Sequence, residues 1–146
     1  MKWILLAPAT LVWLGVALAQ IPTPAGLWTT FNDSSGKPAG LVRIEERDGE
    51  FVGSVVQVYS EADPNPLCEL CEGALKDKPV LGMIILRGLR LDGDNYGGGT
   101  ILDPDEGRTY RCTAALLEGG RKLEVRGYLG FPWLGRSQTW VRVVGQ

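Results

Sequence analysis

Two of the three cysteines in this chain are close in sequence, in the motif Cys68-Glu69-Leu70-Cys71, and the third is Cys112. The spacing is typical of a structural disulfide that closes a short loop, which is the interpretation we favour. A redox-active dithiol is an alternative, but it needs a lowered thiol pKa, and the neighbouring Glu69 and Glu72 raise that pKa. A metal site and a disulfide to Cys112 are two further alternatives. We expect Cys112 to be a buried free thiol that packs as a small apolar residue.

The chain contains no histidine, so Ser-His-Asp and Cys-His arrangements are excluded as catalytic sites. Three cysteines without histidine also fall short of the four ligands of the usual structural zinc site. Asp103 and Asp105 form a carboxylate pair, but Asp103-Pro104-Asp105-Glu106-Gly107 is typical of a tight turn. We therefore predict no catalytic residue, no metal and no cofactor, and we expect that the protein is not an enzyme.

Aromatic and arginine side chains form the remaining candidate site. In a closed barrel they would line a ligand cavity, and the alternative is core packing with solvated arginines. The loop Phe131-Pro132-Trp133-Leu134 would mark a binding mouth if it is exposed and would be a plug if it is buried. The candidate ligand-binding residues are Trp28, Tyr110, Arg126, Tyr128, Trp133, Arg136 and Trp140.

The first 19 residues have the pattern of a secretory signal peptide. Lys2 precedes an apolar run, and Ala17-Leu18-Ala19 is a small-x-small cleavage pattern. An uncleaved membrane anchor is disfavoured, because the run is shorter than the ~20 residues that span a bilayer and no basic cluster follows it. We therefore predict export to the periplasm or the extracellular space. Residues 20–146 are then one domain with no stable membrane span.

Turn sequences recur at strand-length spacing, most clearly in residues 97–140. Runs of alternating apolar and polar residues lie between them, which is typical of a β-meander. Asp48-Gly49 indicates a two-residue hairpin turn, and Gly119-Gly120 indicates the turn of a second hairpin. Residues 60–79, which hold Cys68 and Cys71, form the one long connection, and we interpret them as a covering flap. The predicted strands are residues 26–31, 40–47, 51–59, 80–89, 96–103, 108–117, 122–130 and 136–144.

Eight antiparallel strands joined mainly by tight turns can close on themselves and leave no open edge. We therefore predict an all-β fold, an eight-stranded antiparallel up-and-down β-barrel of the lipocalin type, with a β-sandwich as the alternative. The hairpin that turns at Gly119-Gly120 has a register in which apolar residues share one face. The predicted pairs are Cys112 with Gly127, Ala114 with Val125, and Leu116 with Leu123.

Gly26-x-Trp28 in the first predicted strand and Arg142 in the last resemble the closure of calycin barrels, in which a tryptophan lies beneath a late arginine. Nearly all of residues 20–146 also resembles domain of unknown function family 2147, a family of small exported bacterial proteins. The resemblance implies a lipocalin-like barrel in the cell envelope or outside the cell, and it supplies no reaction. The matching stretches are residues 26–28, 48–49 with 53, 68–71, 77–82, 99–104, 107–110, 125–130 and 135–140.

These observations lead to two hypotheses about function. The first is an exported cell-envelope protein that binds a small apolar or amphipathic ligand in the mouth of a barrel. The alternative is an envelope protein–protein interaction module with a filled barrel and no catalysis. Neither hypothesis includes nucleic acid, because the chain is mildly acidic, with a net charge of −2.

Overall fold

Eight strands form one antiparallel sheet that closes into a barrel in the computed structural model, which describes residues 11–12 and 14–145. Each strand pairs with its neighbours in sequence, and the last strand pairs with the first. The predicted up-and-down barrel is confirmed, and the β-sandwich alternative is excluded. The strands are β1 Gly26–Phe31, β2 Pro38–Arg47, β3 Glu50–Val58, β4 Ile84–Asp92, β5 Asn95–Asp103, β6 Arg108–Leu117, β7 Lys122–Tyr128 and β8 Arg136–Arg142.

Helical structure in the described residues is confined to three single turns of 3₁₀ helix, at Gly73–Leu75, Glu118–Gly120 and Pro132–Leu134. None of the helices in this part of the chain is long and apolar enough to cross a membrane. The predicted signal peptide, residues 1–19, lies partly outside the described residues, at residues 1–10 and Trp13. It therefore stays a prediction.

Tight turns set the register of the hairpins as the sequence predicts. Asp48 and Gly49 both have positive φ, at 54° and 77°, which is the conformation that a type I′ hairpin turn requires. The predicted register of the β6–β7 hairpin is also correct. Its pairs include Cys112 with Gly127, Ala114 with Val125, and Leu116 with Leu123.

The position of β4 differs from the prediction, since the strand lies at Ile84–Asp92 and not at residues 80–89. The first residues of that apolar run form a turn, in which the amide of Met83 donates to the carbonyl of Val80 at 3.0 Å. Gly82 has a φ of 85°, a conformation that this turn requires and that glycine adopts readily. The run is apolar on both sides of this turn, so hydrophobicity alone did not locate the start of the strand.

The barrel has a closed end and an open end. The closed end carries the β2–β3, β4–β5 and β6–β7 turns, and the open end carries the other four connections. Trp28 is fully buried at the closed end, and its indole Nε1 donates to the carbonyl of Pro24 at 2.8 Å. The guanidinium of Arg142 lies over the indole, 4.3 Å from the ring centroid, as predicted from the resemblance to calycins.

Arg142 also joins two separate pieces of backbone at the closed end, the segment before β1 and the β6–β7 turn. Its guanidinium donates to the carbonyls of Thr23, Ala25 and Gly120 at 2.6, 2.7 and 2.7 Å respectively. Gly26 makes this approach possible, because a Cβ at position 26 would lie 2.5 Å from Nη1 of Arg142. The G-x-W sequence thus has a steric reason for its glycine.

We predict that Arg142→Ala lowers the free energy of unfolding by about 3 kcal/mol, since it removes three hydrogen bonds and one cation–π contact. Arg142→Lys keeps the charge but loses the planar fork, so its loss should be intermediate. Urea unfolding followed by intrinsic fluorescence measures both. Arg43→Ala, on the exposed outer face of β2, is the control, and it should leave the midpoint unchanged. An equal loss for Arg142→Ala and Arg43→Ala would contradict the proposed role of Arg142.

Candidate functional site

A cavity of about 550 Å³ opens at the open end of the barrel. It lies between the β1–β2 turn, the β5–β6 turn and the β7–β8 loop, and it extends down to the inward face of β6, β7 and β8. Its deeper wall is apolar, whereas its rim is polar and mostly acidic. The apolar wall includes Ile85, Ile101, Leu102, Val125, Leu129, Leu134 and Trp140, and the ionisable groups of the rim are Asp33, Asp103, Asp105, Glu106 and Arg136.

The structure brings some of the predicted ligand-binding residues together at this cavity. Tyr110, Tyr128, Arg136 and Trp140 line it. Inward-facing positions of β6 and β8 supply Tyr110, Arg136 and Trp140, because side chains alternate between the two faces of each strand. Together with Tyr128 on β7, they come from three neighbouring strands, which pair in the order β6–β7–β8.

The other predicted ligand-binding residues, Trp28, Arg126 and Trp133, do not line the cavity. Trp28 lies at the closed end, beneath Arg142. Arg126 braces the β7–β8 loop, where its Nε donates to the carbonyl of Pro132 at 2.7 Å and its Nη1 to Ser137 Oγ at 3.1 Å. Trp133 is 72% exposed at the tip of that loop, stacked on Phe131 with ring centroids 4.6 Å apart. The loop is therefore exposed and not a plug, and its Leu134 borders the cavity although Trp133 does not.

A chain of polar contacts crosses the mouth of the cavity. Arg136 lies between two carboxylates, with Nε 3.2 Å from Asp33 Oδ2 and Nη2 3.3 Å from Asp103 Oδ2. Gln138 Nε2 donates to Asp33 Oδ1 at 2.7 Å, and Trp140 Nε1 donates to Gln138 Oε1 at 2.9 Å. These contacts attach β8 to the β1–β2 turn and to the β5–β6 turn. They hold the rim of the cavity in one arrangement.

Acidic groups crowd the β5–β6 side of the rim. Burial and the neighbouring carboxylates of Asp103 and Glu106 raise the pKa of Asp105. The phenol of Tyr110 donates a hydrogen bond to the carboxylate of Glu106, and this bond is the main reason that the pKa of Tyr110 is raised. Negative charge therefore accumulates on this side of the mouth.

Asp103-Pro104-Asp105 forms the predicted turn, but the turn also borders the cavity. Asp103 Oδ1 accepts hydrogen bonds from the amides of Asp105 and Glu106 at 2.9 and 3.3 Å. From the sequence, Asp103 and Asp105 were considered as a carboxylate pair and interpreted as a turn, and Asp33 was not among the candidate site residues. The predicted topology could have placed Asp33 near Asp103. In an up-and-down barrel, the β1–β2, β5–β6 and β7–β8 connections lie at the same end.

The long β3–β4 connection contains a flap, residues 66–80, that packs beside the β5–β6 turn. The predicted disulfide between Cys68 and Cys71 is confirmed, with the Cα atoms 5.3 Å apart. The flap is held by its own backbone contacts, among them a bridge between Leu67 and Pro79. A Cβ on Gly107 would overlap the carbonyl of Leu70, so the flap contacts the turn backbone directly.

The third cysteine, Cys112, lies inside the barrel as a buried free thiol. Burial raises its pKa to about 12, so it stays protonated and is a poor nucleophile at neutral pH. Within residues 11–12 and 14–145, no three of the Cys, Asp and Glu side chains come together in a group that could hold a metal ion. The expectations of no metal and no enzymatic activity stay predictions.

Comparison with known proteins agrees with this geometry. Residues 26–142 match the family described as "Uncharacterized protein conserved in bacteria (DUF2147)". The chain belongs to the DUF2147 family. A solved structure described as "Protein HP1028 from the human pathogen Helicobacter pylori belongs to the lipocalin family" is similar to this DUF2147 protein, with a TM-score of 0.71. The two are 22% identical over 87% of this chain and 85% of that chain.

At that level of identity, the similarity shows the fold alone, a lipocalin-like barrel. No curated protein matches the sequence. The resemblance to this family that the sequence indicated is confirmed. The family is described as uncharacterized, so it supplies no function for this DUF2147 protein.

We predict that the three cysteines respond differently to alkylation. In the folded DUF2147 protein, iodoacetamide should modify none of them, because two are in the disulfide and Cys112 is buried and protonated. Unfolding in urea without reductant should expose one site, and unfolding with reductant should expose all three. Intact-mass spectrometry counts the adducts. Modification of the folded, non-reduced protein would contradict the buried position of Cys112.

We predict that Asp105→Asn stabilises the protein at pH 7 and that the gain disappears well below pH 3.8, the ordinary pKa of the group. The raised pKa means that the folded state binds the proton more tightly than the unfolded chain does, so ionisation with rising pH weakens folding. Urea unfolding of wild type and variant at several pH values measures the difference. Asp94→Asn, in the β4–β5 turn at the closed end, is the control. A gain independent of pH would contradict the electrostatic explanation.

Proposed function

We propose that this DUF2147 protein binds a small apolar or amphipathic molecule in the cavity at its open end. The observation that carries the proposal is the cavity itself, which measures about 550 Å³ and combines an apolar wall with a polar rim. Small-molecule sites in proteins typically measure about 300–1,000 Å³ and have this division between wall and rim. Arg142 and Trp28 seal the other end, so a ligand would enter from the open end alone.

We infer that binding occurs without catalysis. General acid–base chemistry needs an ionisable group whose pKa lies near the working pH and which reaches the substrate. At the rim, Arg136 is shared by two carboxylates, and Asp103 Oδ1 accepts the hydrogen bonds of the turn. These engaged groups support a structural and electrostatic role. A chain without histidine also lacks the commonest general base.

We further infer that the protein works in the cell envelope or outside the cell. Support comes from the signal-peptide pattern of residues 1–19 and from the disulfide between Cys68 and Cys71. Disulfides persist in oxidising compartments and are rare in the cytosol. The flap that contains this disulfide packs against the β5–β6 turn, at the rim of the cavity.

A second candidate function is an interaction module for an envelope protein. The tip of the β7–β8 loop supports it, since Phe131, Trp133 and Leu134 are 56%, 72% and 69% exposed. Exposed apolar clusters of this kind mark contact sites more often than chance. The interaction hypothesis assumed a filled barrel, however, and a cavity of about 550 Å³ favours ligand binding over it.

We predict that the wild-type protein binds N-phenyl-1-naphthylamine, a neutral dye whose fluorescence rises in apolar surroundings, and that Val125→Trp weakens this binding at least about tenfold. Val125 lines the cavity and is buried, so a larger side chain would occupy the ligand volume. Val141→Trp is the matched control, because Val141 lies on the outer face of the adjacent strand β8. Dye titration gives the affinities, and urea unfolding checks that both variants are folded.

Native mass spectrometry of freshly purified protein is an independent check, since a bound molecule would add its mass. Absence of dye binding by the folded wild-type protein would overturn the proposed function. Equal weakening by Val125→Trp and Val141→Trp would place the dye outside the cavity and would overturn it as well.

A further inference from the structure

We infer that the ligand of this cavity is a cationic amphiphile, with an apolar chain or ring against the wall and an ammonium-type group at the mouth. This inference rests on the proposed binding function and adds the chemical class of the ligand. Three observations support it: the rim is mostly acidic, several hydrogen-bond donors of the rim and wall already have acceptors, and aromatic side chains line the wall.

The rim carries an excess of negative charge. Asp33, Asp103, Asp105 and Glu106 line the cavity, and Arg136 is the one basic residue among its described lining residues. Arg136 is already shared between Asp33 and Asp103, at 3.2 and 3.3 Å. Nε and Nη2 already contact carboxylates, so an anionic head group at the guanidinium would lie close to both negative charges. A cationic group would add a partner without breaking a contact.

Asp105 is the position where a cation would be stabilised most. Within the described part of the chain, its carboxylate takes part in no hydrogen bond and no ion pair, although it lines the cavity. Asp103 and Glu106 repel its ionised form, which contributes to its raised pKa. A positive group beside Asp105 would offset that repulsion, because opposite charges at a partly desolvated site attract more strongly than in bulk water.

Three polar side chains of the wall already donate hydrogen bonds to neighbouring side chains. Trp140 Nε1 donates to Gln138 Oε1, Gln138 Nε2 donates to Asp33, and the phenol of Tyr110 donates to Glu106. An anionic or carbonyl-bearing head group would need such donors to be available. The same tyrosine and tryptophan, together with Tyr128, also line the cavity. Aromatic ring faces attract cations, with a strength of order 1 kcal/mol per favourable contact.

The cation is organic and not a metal ion. In residues 11–12 and 14–145, no three acidic side chains approach each other closely enough to form a metal site. The rim carboxylates are also followed inward by Ile101, Val125 and Trp140, which offer no ligand to an inorganic ion. An apolar portion attached to the cation would occupy this deeper space and exclude water from it.

Three probes with the same ten-carbon chain test the inference: decyltrimethylammonium, decan-1-ol and decanoate. Each is titrated, below its micelle concentration, against the full chain with bound N-phenyl-1-naphthylamine, and displacement gives the affinity. We expect decyltrimethylammonium to bind about tenfold more tightly than decan-1-ol, and decanoate to bind more weakly than either. Added salt should weaken the binding of the cation and leave that of the alcohol unchanged, since salt screens charges at a solvent-accessible rim.

Asp105→Asn should weaken decyltrimethylammonium binding about fivefold while decan-1-ol binding is unchanged. Asp94→Asn, which removes a carboxylate at the closed end, should change neither affinity. Decanoate affinity equal to or above that of decyltrimethylammonium would overturn the inference and leave ligand binding intact, as would equal affinity for all three probes. Failure of the dye and of every probe to bind would instead overturn the proposed function itself.

Discussion

The barrel depends on the contact between Arg142 and Trp28 at its closed end. A guanidinium is costly to remove from water, and burial lowers the pKa of Arg142 accordingly. Three backbone carbonyls and one indole face compensate for the lost hydration, and they come from the segment before β1, from β1 and from the β6–β7 turn. The strand ends, the segment before β1 and the β6–β7 turn are thereby joined at one cation. Because this end is sealed, any usable space inside the barrel must open at the other end.

The open end has the opposite construction, since it is held by contacts between turns and not by a filled core. Arg136 links two turns to β8, Arg126 braces the β7–β8 loop, and the flap rests on the β5–β6 turn. These contacts fix the rim without placing bulk in the cavity. In the wall, Gly127 allows Tyr110 to pack closely against β7, because a Cβ at this inward position would lie 3.3 Å from Cβ of Tyr110. A rigid rim around an open space is a suitable arrangement for a pre-formed binding site.

Sequence periodicity was sufficient to predict the strands because the turns are encoded locally. Asp48-Gly49 and Gly119-Gly120 define their hairpins, and the alternation on β6 and β7 gives the correct pairing. The predicted start of β4 was wrong, because residues 80–83 are mostly apolar although they form a turn. The site was predicted less completely than the fold. Tyr110 and Trp140 were found from residue type, but Trp28 serves the closed end, and whether the barrel is hollow depends on how side-chain volumes add up in three dimensions.

The β5–β6 turn shows where turn chemistry alone stops explaining the sequence. Asp103 supplies the carboxylate oxygen that accepts the turn amides, and Gly107 gives the space that the flap backbone needs. Asp105 and Glu106 contribute neither of these features through their side chains, yet they place two further negative charges beside Asp103. This arrangement costs stability, because burial and then repulsion from the neighbouring carboxylates raise the pKa of Asp105. Departures from local stability of this kind concentrate at functional sites. An acidic rim above an aromatic and apolar wall therefore supports the proposal of a ligand that carries a positive charge.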